Sequence, residues 1–174
     1  HRITLCIDNR YQYDTHKWDH AHTEFTQINW NGILGEMKLL VMDPVHIDDM
    51  QLFPRVADRS VEMRLTVANT TGKPFRGKAL VTVSGNGVEV EREFPVSGDG
   101  PELRLAGELS LGDDAPLWDE FSPRLYTLRC RLLTQAGPES CEDERSVTFG
   151  LREVAQGRNH ILLNGHPIHL RGTV

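Results

Sequence analysis

The apolar residues of this chain recur with a period of two. Val61, Met63, Leu65 and Val67 alternate with polar neighbours, and Ala79, Val81 and Val83 do the same. Val88 and Val90 continue the pattern across Arg92 to Phe94, Leu103 and Leu105 repeat it, and so do Tyr126, Leu128, Cys130 and Leu132. Successive side chains of a strand point to opposite faces, so this alternation sets one face on a core and the other in water. Turn-forming clusters separate the runs at residues 69–74, 84–87 and 97–101, each rich in Gly, Asn, Ser, Thr or Pro. The stretch from His46 to Val56 opens the series. Short strands at this spacing, with no helical stripe between them, predict an all-β antiparallel sandwich over residues 43–155. A parallel βαβ architecture is disfavoured, because its crossover helices are missing.

The two ends read differently. Residues 1–42 hold a strand pattern from Ile3 to Ile7, a polar, aromatic-rich loop from Tyr11 to Asn31, and a second strand pattern from Ile33 to Met42. They are expected to be the last strands of a preceding domain, with Asp43-Pro44 as the joint. An opening on His1 in a strand pattern, without Met, is expected of a trimmed or processed piece. Over residues 156–174, Asn164-Gly165 lies between Ile161-Leu162-Leu163 and Ile168-His169-Leu170. That dipeptide predicts a two-residue hairpin, since both turn positions require positive φ.

Composition narrows the partners. Charged residues make up 25% of the 174 and the formal net charge is -6. Nucleic acid and anionic membranes both call for a basic patch, so neither is expected as a partner. No apolar run approaches the length of a bilayer span. The three cysteines are too few for a disulfide scaffold, and no Cys-x-x-Cys occurs. Cys130 and Cys141 flank the turn signal Ala136-Gly137-Pro138 and could face each other across a hairpin. The other reading makes Cys130 a small core residue in phase with Tyr126, Leu128 and Leu132.

Three motifs carry a family likeness. Asn29-Trp30-Asn31-Gly32-Ile33-Leu34-Gly35, followed by Leu39 and Leu40, resembles the exit from the sugar-binding jelly-roll of glycoside hydrolase family 2. Leu117-Trp118, then Ser122-Pro123-Arg124-Leu125-Tyr126-Thr127-Leu128, resembles that family's sandwich motif. Phe149-Gly150-Leu151-Arg152-Glu153, then Leu163-Asn164-Gly165-His166-Pro167-Ile168 and Leu170-Arg171-Gly172, resembles the approach to its catalytic barrel. The motifs stand in the family's order and span nearly the whole chain, with a flavour closest to bacterial β-galactosidase-type members. The resemblance implies an immunoglobulin-like sandwich flanked by a jelly-roll remnant (residues 1–42) and a lead-in hairpin (residues 156–174). It also implies a carbohydrate substrate for the parent enzyme, and no cofactor is expected; the sequence does not give the native compartment, and a periplasmic or secreted bacterial setting would suit a polysaccharide-degrading parent.

The residues themselves offer little chemistry. The family is retaining, which calls for two carboxyl groups roughly 5–5.5 Å apart, and it places its acid/base in an Asn-Glu dipeptide on the barrel. No Asn-Glu occurs in this chain, and Glu89, Glu91 and Glu93 alternate onto a solvent face. No catalytic residue is therefore assigned, and Arg152-Glu153 reads as a surface or interdomain ion pair. There is no Gly-x-Ser-x-Gly elbow and no phosphate-cradling loop. Asp14, His16, Asp19, His20 and His22 form a dense cluster of metal-capable side chains. Solvated histidines are the commoner outcome in such a loop, so no metal site is assigned. Some family members contact substrate through an Asp six positions before the Gly of the jelly-roll exit; that position is Thr26 here, and the contact does not carry over. Gln27, Asn29 and Trp30 remain as substrate-adjacent candidates, because amides bind sugar hydroxyls and indoles stack on sugar C–H faces. Trp30 reads equally as an interface plug and Asn29 as a turn cap. Trp118, Phe121 and Tyr126 are expected to cap one end of the core, with the Tyr126 hydroxyl on a backbone group.

The expectation is a non-catalytic spacer between jelly-roll and barrel. A stand-alone carbohydrate-binding module would need an exposed aromatic platform in a chain that is 7% aromatic. An adhesion-type immunoglobulin domain would leave the Asn164-Gly165 hairpin unexplained.

Overall fold

The computed structural model describes residues 2–8 and 32–172, and the chain divides into two compact units, His1–Leu40 and Val41–Val174. In the first unit, the described residues form no strand. The strand expected from Ile3 to Ile7 is absent, and so is the one from Ile33 to Met42, whose last residues belong to the second unit. Ile3, Leu34, Leu39 and Leu40 are exposed there. A strand persists only where a neighbour takes up its N–H and C=O groups, and the described residues supply none.

The second unit is an immunoglobulin-like sandwich. Strands β1 (Val45–Arg55), β2 (Ser60–Asn69) and β5 (Glu102–Ser110) form one sheet in the order β1-β2-β5. Strands β3 (Phe75–Gly85), β4 (Val88–Gly98), β6 (Tyr126–Ala136) and β7 (Glu139–Phe149) form the other, in the order β4-β3-β6-β7. Every pairing is antiparallel. The third, small sheet joins β8 (Val154–Gln156), β9 (Ile161–Leu163) and β10 (His166–Ile168) in the order β10-β9-β8. No helix occurs among the described residues.

The alternating residues meet between the two large sheets. Val61, Met63, Leu65 and Val67 face Ala79, Val81, Val83, Leu128, Cys130 and Leu132, all buried. Burying one Val or Leu side chain is worth about 1.5–3 kcal/mol. A surface ion pair such as Lys78–Glu93 contributes about 0–1 kcal/mol. The inward phase therefore holds the sandwich together, far more than the ion pairs of its outer face. Pro54 and Pro95 fall in β1 and β4, both edge strands, where a missing N–H breaks no ladder.

The turns follow their residues. Asn86 and Gly87 (φ 51° and 83°) close β3 onto β4, and Asn164 and Gly165 (φ 50° and 81°) close β9 onto β10. Both are two-residue hairpins of the kind Asn-Gly favours.

Sequence periodicity does not announce β7, where Asp143 and Arg145 stand at inward-phase positions. They lace the sheets together instead. The Asp143 carboxylate accepts the Ile47 N–H at 2.8 Å, and the Arg145 guanidinium donates to the Asp48 carbonyl at 2.9 Å. Both bonds fall at the bulge between Ile47 and Asp49, where β1 shifts register on β2.

The Cys130–Cys141 bridge is not formed. Cys141 stands opposite Thr134, and Cys130 opposite Arg145. A four-residue offset along a strand is about 13 Å, well beyond disulfide reach. Both thiols are free and buried, and burial, reinforced by the Asp143 charge, pushes the Cys130 thiol up to about 12.

Candidate functional site

The richest set of specific contacts joins one end of the sandwich to the small β8-β9-β10 sheet. It begins with Tyr126, the first residue of β6. Its ring is fully buried and stacks on Phe149, with centroids 5.6 Å apart. Its hydroxyl donates to the Pro116 carbonyl at 2.8 Å. This tie fastens the long β5–β6 connection to the core, as in the tyrosine corner of immunoglobulin-like domains. Burial pushes the Tyr126 phenol up, and the charges of Arg59 and Arg124 offset part of the rise.

Trp118 sits in the connection that Tyr126 anchors. Its backbone N–H donates to the Leu151 carbonyl at 2.9 Å. Its side chain lies against Gly150, where an added Cβ would stand 2.8 Å from the Trp118 Cβ. Glycine is required there by proximity, since no other residue leaves the indole room. The ring also carries the Arg152 guanidinium, 4.8 Å from the centroid. Arg152 thus serves as a cation–π cover; the ion pair expected between Arg152 and Glu153 is not made.

Asn164 completes the junction. Its Nδ2 donates to the Trp118 carbonyl at 2.8 Å, and its Oδ1 accepts the Glu153 N–H at 2.9 Å. Its own N–H donates to the Glu153 carbonyl at 2.9 Å. One amide side chain therefore ties the hairpin to both the Trp118 loop and the segment leading into β8. The three segments that carried the sandwich and barrel-approach motifs meet here. Sequence reasoning gave Asn164 only its turn role. Its partners are backbone groups, one of them 46 residues away, and leave no mark in residue identity.

Phe121 departs from expectation. It does not cap the core with Trp118 and Tyr126; it is 89% exposed. The Asp119 carboxylate accepts the Phe121 and Ser122 N–H groups, both at 2.8 Å, and so fixes a tight turn that holds the ring out. The neighbouring Leu125 is also exposed, and its carbonyl accepts from Asn86 Nδ2 at 2.8 Å.

The substrate-adjacent candidates Gln27, Asn29 and Trp30 lie outside the described residues, as do Thr26 and the cluster of Asp14, His16, Asp19, His20 and His22. A groove of about 860 Å³ crosses the outer face of the four-stranded sheet and contains Asp43, Glu93 and Glu142. Each carboxylate is engaged. Lys78 donates to Glu93 at 2.9 Å, Arg131 donates to Glu142 at 2.6 Å, and Asp43 accepts the Glu142 N–H at 2.8 Å. The groove is built as a salt-bridged sheet surface, and its carboxylates serve structure.

Known proteins share this fold. The family model described as glycosyl hydrolases family 2 matches residues 45–152, more than half of the chain. Human β-glucuronidase is 22% identical over 191 residues, an alignment covering 98% of this chain and 28% of that protein. A β-galactosidase of Pectobacterium atrosepticum is 27% identical over 188 residues, covering 98% of this chain and 17% of its own length. Among solved structures, a Bacteroides uniformis β-glucuronidase superposes with a TM-score of 0.60 at 18% identity, over 75% of this chain and 17% of that one. The chain thus spans less than a third of the relatives it matches. With the match running through β1 to β7 and the Trp118 loop, the chain belongs to glycosyl hydrolases family 2.

Proposed function

We propose that this chain is a non-catalytic segment of a longer, retaining family 2 glycosidase and that it works by positioning. In this reading residues 1–42 end a sugar-binding jelly-roll, residues 43–155 are the spacer sandwich, and residues 156–174 lead into a catalytic barrel. The observation that carries it is the Asn164 junction. A buried tyrosine, a glycine-seated tryptophan and a bidentate asparagine are spent on fixing a short hairpin against the sandwich, and reacting groups held in register gain greatly in effective concentration. The parent's substrate is a β-glycoside. The motif flavour favours a galactoside, while the relative named β-glucuronidase favours a uronide as the second reading. A β-galactosidase-like parent from a bacterial periplasm or secretome is the specific form proposed. The test is the full-length parent with aryl β-galactosides and β-glucuronides, following the first-formed anomer by NMR. Hydrolysis with retention is expected. A parent without a barrel, or one that inverts, overturns the reading.

A further inference from the structure

Two histidines face each other at the open end of the last hairpin. Its strands pair Leu163 with His166, Leu162 with Pro167 and Ile161 with Ile168. One step further from the Asn164-Gly165 turn, the same register sets His160 opposite His169. Directly opposed residues of an antiparallel pair send their side chains to the same face, with Cβ atoms about 4.5–5.5 Å apart. The two rings meet there, with centroids 6.3 Å apart and planes at 77°, edge to face. Both residues are exposed. The backbone of His160 is also held, because its carbonyl accepts the Gly157 N–H at 2.8 Å.

A metal ion bound by one nitrogen of each ring, at about 2.0–2.1 Å, places the ring centres roughly 4.5–6.4 Å apart as the N–metal–N angle opens from square to linear. The observed spacing falls inside that range, and exposed rings can turn about χ2 to narrow the angle. Among the described residues no group of three or more His, Cys, Asp or Glu side chains is placed to hold a metal. The pair therefore acts alone, and water fills the other positions. Imidazole nitrogens suit copper, nickel and zinc, whereas calcium and magnesium call for oxygen ligands. We propose that His160 and His169 form a two-imidazole site for a late first-row divalent cation, with Cu2+ bound most tightly. The ion clips the hairpin at the end opposite the turn that Asn164 pins. A small sheet is marginal alone, and an ion that binds only the ordered pair stabilises it by mass action. The site goes beyond the positioning role and holds whether or not a barrel follows.

Titrating the chain with Cu2+ while following its backbone amides by NMR tests this. Substoichiometric Cu2+ is expected to broaden the Leu162 and Ile168 amides and to leave Val81 and Leu132 sharp. Losing one ring turns a chelate into a single ligand, so His160→Asn and His169→Asn are each expected to weaken this binding by roughly a hundredfold. Unchanged Leu163 amide shifts in the metal-free variants show that the hairpin is intact. His166→Asn, on the same hairpin but its other face, is expected to leave the affinity unchanged. Saturating Zn2+ is expected to slow hydrogen exchange in the hairpin of the unsubstituted chain and of neither weakened variant. Broadening confined to residues 1–31 overturns the site, because it assigns the copper to the other histidines. Equal affinity in the unsubstituted chain and the two single variants overturns the chelate. Hairpin exchange that Zn2+ leaves unchanged overturns the clip.

Discussion

The Asn164 side-chain amide donates to the Trp118 carbonyl at 2.8 Å, across 46 residues of sequence. This bond fastens a three-residue hairpin strand to the loop that Tyr126 and Gly150 hold in place. A small three-stranded sheet is marginal alone, so its order depends on such ties.

Asn164→Gly tests the tie cleanly. Glycine accepts the positive φ of the turn as readily as asparagine, so the substitution removes only the side-chain bonds. Two lost hydrogen bonds are expected to cost roughly 1–3 kcal/mol. Hydrogen exchange should show the Glu153, Leu162 and Leu163 amides losing protection, with Val81 and Leu132 unchanged.

Tyr126→Phe removes the hydroxyl and leaves the Pro116 carbonyl without that donor. The ring and its stack on Phe149 remain. A loss of about 1–2 kcal/mol in urea unfolding is expected, with the slope against urea unchanged because the same surface is exposed.

Two glycines differ in what a methyl would meet. At Gly77 an added Cβ lies 2.0 Å from the Leu133 carbonyl oxygen, a backbone atom of the paired strand β6. At Gly107 it lies 2.3 Å from the Phe94 ring, a side chain on edge strand β4. A ring can rotate away and a central ladder cannot. Gly77→Ala is therefore expected to destabilise more than Gly107→Ala, which should cost about 1–3 kcal/mol as an overpacked site. Paired thermal melts give the order directly.

The strands that sequence revealed most clearly are those whose inward face is mostly apolar. In β2, β3 and β6 nothing competes with the period of two. β7 hides because Asp143 and Arg145 occupy inward positions, and the reason is local. They bond the Ile47 N–H and the Asp48 carbonyl at the β1 bulge, where the sheets come together at their edge. The segment from Ile33 to Met42 fails in the opposite way, because apolar density without a partner ladder does not make a strand. Of the site, Trp118, Tyr126 and the Asn164-Gly165 turn were legible as residues. Their convergence was not, because it runs through backbone carbonyls that any residue would supply. Phe121 was assigned to the core by its neighbours in sequence, and a single carboxylate, Asp119, turns it outward.

Cys130 provides a chemical check on the core. Its thiol is fully buried and raised to about 12, so near neutral pH it holds almost no thiolate, the form that reacts. A disulfide reagent at pH 8 is expected to leave Cys130 unmodified in the folded protein and to reach it only on unfolding. Exposed Cys6 lies outside this protection.

The central claim is that these 174 residues shape a neighbour's pocket and break no glycosidic bond themselves. Incubating the purified chain with nitrophenyl β-galactoside and β-glucuronide, and reading nitrophenol release, tests it most directly. No release above the buffer rate is predicted. Turnover that co-purifies with the folded chain would contradict the account.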